Sequence, residues 1–159
     1  MRINRYVIFT VMLFVALALC VTTATADQHS GTWKMDPAKS KYSPGPAAKS
    51  LTLKVESDAQ GVKIDSEGID GEGNPTHVQY DAKLDGKDYP VTGLPYGDMV
   101  VVKRIDANTM QSTLRKKDGQ LMMTVITTIS ADGKTRTSTF KGKDGQGREV
   151  NNVVVYDKQ

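Results

Sequence analysis

Five Asp-Gly pairs punctuate the chain, at Asp70-Gly71, Asp85-Gly86, Asp118-Gly119, Asp132-Gly133 and Asp144-Gly145. Both residue types tolerate the backbone angles of tight reversals, so each pair marks a place where the chain doubles back. Between the pairs, apolar and polar residues alternate. Leu51, Leu53 and Val55 fall on one side, and Thr52, Lys54 and Glu56 on the other. A two-residue period belongs to a strand, and no window shows the 3.6-residue apolar period of a helix. Closely spaced hairpins join neighbouring strands in sequential order. The expected fold is all-β: a single antiparallel meander of about eight to ten strands closing as an up-and-down β-barrel, with a two-sheet β-sandwich as the alternative.

The expected strands cover residues 31–35, 51–56, 61–67, 77–84, 89–91, 97–105, 109–116, 121–129, 135–141 and 150–158. Val78, Tyr80, Ala82 and Leu84 alternate against His77, Gln79, Asp81 and Lys83. The piece around Pro90 is an edge or bend, because proline has no N–H to give to a ladder.

The first 26 residues read as a cleaved signal peptide. Arg2 and Arg5 precede an apolar run from Val7 to Val21, and Ala24-Thr25-Ala26 is a small-x-small cleavage site. The expected location is therefore secreted or periplasmic, with no stable membrane span after cleavage. Cys20 follows Leu19 rather than a small residue, which argues against lipid anchoring there. Residues 27–159 then form a single all-β domain of 133 residues. It contains no cysteine, so neither a disulfide nor a thiolate site is available. Its net charge is +1 with the basic residues scattered, and this excludes a nucleic-acid-binding stripe.

Residues 36–50 form a Pro-rich irregular connection. Pro44-Gly45-Pro46 fits neither a helix interior nor a central strand, and a connection this long covers one end of the sheet. The stretch from Tyr89 to Tyr96 combines two prolines and one glycine with apolar side chains, and Tyr89, Leu94 and Tyr96 make it a candidate interaction loop.

Few residues suggest chemistry. His29 sits at a frayed terminus, and His77 on the polar phase of its strand; a metal pair would require them to meet. Asp65, Glu67, Asp70 and Glu72 crowd one hairpin without the fixed spacing of a calcium loop. No nucleophile–base pair is apparent, so no catalytic residues, metal or cofactor are expected. Arg104 shares the phase of Val100 and Val102, but Met99, Val101 and Ile105 make the opposite face equally apolar. Arg136 shares the phase of Ser138 and Phe140, against Thr135, Thr137 and Thr139. Either arginine, if inward, needs a carboxylate or an anionic ligand as partner.

Gly31-Thr32-Trp33-Lys34 near the start and Val155-Tyr156-Asp157-Lys158 near the end resemble the two ends of a calycin barrel, the superfamily of lipocalins and fatty-acid-binding proteins. The resemblance implies that Trp33 plugs one end of the barrel. It also implies that a late basic residue, Arg148 or Lys158, packs over that Trp. It does not carry over the helical lid of fatty-acid-binding proteins, whose place is taken by residues 36–50. Nor does it carry over their carboxylate-binding Arg, whose position is occupied by Val154.

The expected function is a non-enzymatic, monomeric β-barrel that binds a small hydrophobic molecule. Phase alone nominates Leu53, Val55, Tyr80, Val102, Met123, Val125 and Phe140 as lining residues, with Arg104 and Arg136 beside them. The alternative is a structural or protein-interaction domain of the cell envelope with a filled core. Its contact surface would be the Tyr89–Tyr96 loop or the outer-face Met122 and Ile126.

Overall fold

The computed structural model describes residues 27–159. The expected signal peptide, with Cys20, lies outside the described residues. Ten strands follow one another: β1 (Gly31–Met35), β2 (Ser50–Ser57), β3 (Gly61–Ile69), β4 (Pro75–Lys83), β5 (Tyr89–Thr92), β6 (Met99–Arg104), β7 (Thr109–Arg115), β8 (Leu121–Ile129), β9 (Thr135–Lys143) and β10 (Glu149–Lys158). Each pairs antiparallel with its sequence neighbour, and β1 pairs with β10, so the meander closes into a barrel. Closure rules out the two-sheet sandwich. It also leaves no long unpaired edge, which a chain stabilised by packing alone would otherwise expose.

Alternation decides which side chains are dry. Trp33, Leu53, Val55, Val62, Ile64, Ala82, Val91, Val100, Val102, Met123, Val125 and Val154 form one interior cluster, each under a tenth exposed. Lys54, Glu56, Lys63 and Glu67 occupy the outer phase of β2 and β3 and are exposed. An apolar lumen inside a charged exterior is the reverse of a barrel that faces lipid. Burial of this cluster is the main stabilising term, at ~25 cal/mol per Å² of apolar surface.

Four of the turns share one arrangement. A glycine N–H donates to the carbonyl three residues back: Gly73 to Asp70 (3.3 Å), Gly119 to Lys116 (2.9 Å), Gly133 to Ser130 (2.8 Å) and Gly147 to Asp144 (3.0 Å). At Asp118-Gly119 and Asp132-Gly133 the reversing glycine is the one expected. In the other two loops it is Gly73 and Gly147 that take positive φ, not Gly71 and Gly145. There the aspartate opens the loop instead: Asp70 Oδ1 accepts the N–H groups of Glu72, Gly73 and Asn74 at 2.9, 2.7 and 2.8 Å.

β10 has ten residues and β1 only five, so β1 cannot cover it. The Pro-rich segment completes the seam. Lys41 and Val153 exchange N–H···O bonds of 2.7 and 2.8 Å, and Asn151 N–H donates to Ser43 O at 2.7 Å. Beyond Ser43 the chain crosses the end of the barrel towards the Asp70–Asn74 turn, where Pro46 packs on Gly71. It therefore covers one end, the mouth.

Gly93 sets the close approach of the β5–β6 connection to β4. It has φ 81°, and a Cβ there would collide with the backbone carbonyl of His77. Gly93→Ala is expected to cost ~2 kcal/mol through strain and backbone displacement. A urea midpoint unchanged from wild type would show that this approach does not constrain the fold.

Candidate functional site

The two ends of the barrel differ. At the closed end, Trp33 is fully buried, and its Nε1 donates to the backbone O of His29 at 3.0 Å. Lys158 lies over the indole with Nζ 5.0 Å from the ring centroid. Of the two basic residues the resemblance offered, Lys158 is the one that packs on Trp33. Arg148 is at the mouth, with its Nε on Asp144 Oδ2 at 2.7 Å.

His29 is not frayed. It is completely buried, and neither ring nitrogen has a hydrogen-bond partner. The segment ahead of β1 is tied down around it. Ser30 Oγ donates to Ser57 O at 2.9 Å, and Ser57 Oγ donates to Asp27 Oδ2 at 2.9 Å. Arg104 pairs with Asp27 and also donates to Ser57 Oγ (3.2 Å) and Asp58 O (3.0 Å). Burial, reinforced by the positive charge of Arg136, lowers the imidazole pKa of His29 to about 4, so the ring is neutral near pH 7.

The facing of β6 is thereby settled. Val100 and Val102 point inward, 0% and 1% exposed, and Arg104 continues their phase to the rim, where Asp27 answers it. Ile105 is exposed. Arg136 goes fully inside, 5% exposed, with Nε and Nη1 lacking any partner. Around it stand Tyr156, its cross-strand neighbour on β10, and Ser138, whose Oγ is 2.9 Å from Thr127 Oγ1. The phenol of Tyr80 and the buried imidazole of His29 are close enough to feel the charge of Arg136. Burial raises the pKa of both tyrosines, so both are neutral hydroxyls.

The mouth holds a cavity of about 430 Å³. Leu51, Met123, Phe140, Val150 and Val154 supply its apolar walls, Tyr42 and Tyr96 flank it, and Pro44 and Pro46 roof it. Asp70, Glu72 and the Asp144–Arg148 ion pair mark the rim. A second hollow, about 590 Å³, lies beyond the other end. Of its lining residues, Asp85, Gly86, Lys103 and Arg104 outnumber the apolar Ala59 and Leu84, so it has little to grip an apolar molecule.

The residues nominated by phase all lie on the inward face. Leu53, Val55, Val102, Met123 and Val125 are buried, and Tyr80 and Phe140 pack against them half-buried. Only Met123 and Phe140 reach the mouth cavity. The Tyr89–Tyr96 loop turns towards the barrel rather than outward: Leu94 and Tyr96 pack on the core, Tyr96 lines the cavity, and Tyr89 Oη donates to Asp85 at 3.0 Å. Met122, expected on an outer contact surface, is 6% exposed and offers none; Ile126 is 37% exposed. Tyr42, Leu51, Val150 and Val154 escaped nomination, since cavity walls come from strand ends and the Pro-rich segment, where phase gives no depth.

The two histidines lie apart, His29 inside the closed end and His77 outside on β4. The acidic hairpin divides as well, with Asp70 and Glu72 in the turn and Asp65 and Glu67 on β3. The ligand atoms of Asp65, Glu67 and His77 lie within 4.8 Å of one another on the outer face. His77 Nε2 is 2.9 Å from Asp65 Oδ1, and Gln79 donates to Asp65 Oδ2 at 3.1 Å, so both oxygens of Asp65 already have protein partners. No protein-family model matches the chain, and no curated protein matches it significantly in sequence.

Proposed function

We propose that this chain is an exported, non-enzymatic barrel of calycin type that carries a small apolar ligand in its mouth. One observation carries the reading: the barrel is plugged at one end by Trp33 and hollow at the other, where apolar side chains surround about 430 Å³ beneath a proline-rich roof. Sites for small molecules are concave, mainly apolar and supplied with few polar groups, and this cavity fits that description. Plug, late basic residue and meander together support the calycin assignment. Export rests on the character of residues 1–26, and the non-enzymatic role on the lack of convergent nucleophile and base among the described residues. The envelope-structural alternative loses ground because Leu94, Tyr96 and Met122 are turned into the fold.

The test is displacement of a neutral fluorescent probe, N-phenyl-1-naphthylamine, by 1-decanol. The wild-type protein is expected to bind the probe at micromolar concentration and release it to the alcohol. Leu51→Glu places a carboxylate on the cavity wall from a half-exposed position and is expected to weaken probe binding by ~10-fold or more. Absence of probe binding to the wild type, with native mass spectra free of any co-purified small molecule, would overturn the proposal.

A further inference from the structure

Two side chains at the closed end of the barrel carry buried nitrogens that no group among the described residues answers. His29 is 0% exposed, and neither Nδ1 nor Nε2 has a partner. Arg136 is 5% exposed, and its Nε and Nη1 have none either. The fold brings the two together. Gln28, next to His29, accepts from Asn108 Nδ2 at 3.0 Å, and the same nitrogen donates to Ile129 O at 3.2 Å. Ile129 is the cross-strand partner of Arg136 on β8, and the charge of Arg136 acts on the imidazole. Among the described residues no carboxylate acts on Arg136; the groups that do are the phenols of Tyr80 and Tyr156. The two acids near His29 are engaged elsewhere, Asp27 with Arg104 and Ser57, and Asp106 with the N–H of Asn108. A guanidinium keeps its proton in a protein, and a buried charge without a counter-charge is strongly disfavoured.

We propose that His29 and Arg136 form an internal site for one small monovalent inorganic anion of the halide class, which bridges the segment ahead of β1 to β9. Chemistry and size both point to it. Arg136 supplies N–H donors and a full positive charge, and the neutral imidazole supplies one N–H more. One cation is balanced by one negative charge, whereas a doubly charged ion would leave a net charge inside. Ile129 and Tyr156, the cross-strand partners of Arg136, are 2% and 3% exposed, and Trp33 closes the end beside them, so this layer leaves no passage for an organic chain. An enclosed site must also strip its ion of water, which favours chloride and bromide over the smaller, strongly hydrated fluoride. The ion is a counter-charge built into the barrel floor, and it stands apart from whatever the mouth carries.

The test follows the melting temperature of the protein at pH 7 and constant ionic strength as sodium gluconate is exchanged for fluoride, chloride or bromide. Chloride and bromide are expected to raise it progressively through the millimolar range, as ligands of the folded state do, and fluoride is expected to match gluconate. General salt effects rank the halides the other way, so the order itself is diagnostic. Arg136→Met is expected to lose the halide response and, in gluconate, to melt no lower than wild type. His29→Leu is expected to weaken chloride binding by ~10-fold, the loss of one charge-assisted hydrogen bond. The imidazole is faced by Arg136 from β9, Arg104 from β6, Asp106 from the turn after β6 and Asp27 from its own segment. A bound anion adds a negative neighbour and favours the imidazolium, so the stability lost between pH 6.5 and 4 is expected to be smaller in chloride than in gluconate. Anomalous scattering from crystals grown in sodium bromide is expected to place one ion within hydrogen-bond reach of Arg136 Nε and the His29 ring. If Arg136→Met does not fold, the bromide position and the halide order in wild type decide. Equal melting temperatures in gluconate and chloride, a halide response that survives Arg136→Met, or a water alone between the two side chains would overturn the proposal. A bromide peak without any response in solution would mean binding at crystal concentration only, and overturns it as well.

Discussion

Trp33→Ala is expected to remove ~4 kcal/mol of folding stability, the largest loss of any single truncation in the barrel. The indole is wholly buried and closes one end of the lumen. Its loss leaves a hole that the rigid ring of strands cannot collapse to fill, and such unrelaxed cavities give the costliest truncations. Two further contacts go with it: the Nε1 bond to His29 O and the stacking of Lys158, the latter worth ~1 kcal/mol. Urea unfolding followed by far-ultraviolet circular dichroism measures the effect. Lys158→Met separates the stacking from the packing and is expected to cost ~1 kcal/mol. A Trp33→Ala loss below that of Lys158→Met would mean the indole is not the plug.

Acid is expected to weaken the fold well before its carboxylates titrate. The pKa of His29 is about 4 in the folded chain, against its ordinary value of 6.5. Between these two pH values the unfolded chain binds the extra proton, so stability is complete above pH 6.5 and falls as pH drops towards 4. The full difference corresponds to ~3 kcal/mol. Burial is the principal cause, and Arg136 and Arg104 oppose the imidazolium while Asp27 and Asp106 favour it. The turn carboxylates act lower on the pH scale. Asp58, held down by the N–H of Gln60, and Asp70, held down by the N–H of Asn74, lose their contribution only below their ordinary 3.8. The acid profile should therefore show two separate limbs. His29→Leu is expected to flatten the limb between pH 6.5 and 4 and leave the lower one, as read from melting temperature against pH. A wild-type melting temperature constant between pH 7 and 4.5 would rule out the buried neutral imidazole.

The strand order and the inward face were readable because both follow from a local rule. Alternation in Leu51–Val55 or Met123–Ile129 fixes which side chains share a face, whatever the strand later pairs with. The reversing glycines were readable at three of the five pairs, since Gly86, Gly119 and Gly133 take positive φ and Gly71 and Gly145 do not. Gly119 and Gly133 follow their aspartates, whereas in Asp70–Asn74 and Asp144–Arg148 the aspartate and the glycine stand at opposite ends of the loop. Depth along a strand was not readable at all. Val102 and Met123 have the same phase and the same apolar character, but one is enclosed in the core and the other borders the cavity. The facing of Arg104 was ambiguous because Val101 is nearly as apolar as its neighbours, and Asp27 completes the pair from far away in the chain. His29 lay outside any pattern, since nothing in a segment ahead of the first strand signals that it folds under the barrel floor.

The pairing of β1 with β10 makes this architecture all-or-nothing in time. The ring cannot shut until β10 has been delivered, so every earlier stage of folding carries two raw sheet edges. Contacts between the opposite termini of a chain are the slowest to form. Shortening β10 would accordingly produce a sticky open sheet that joins other copies, rather than a smaller barrel.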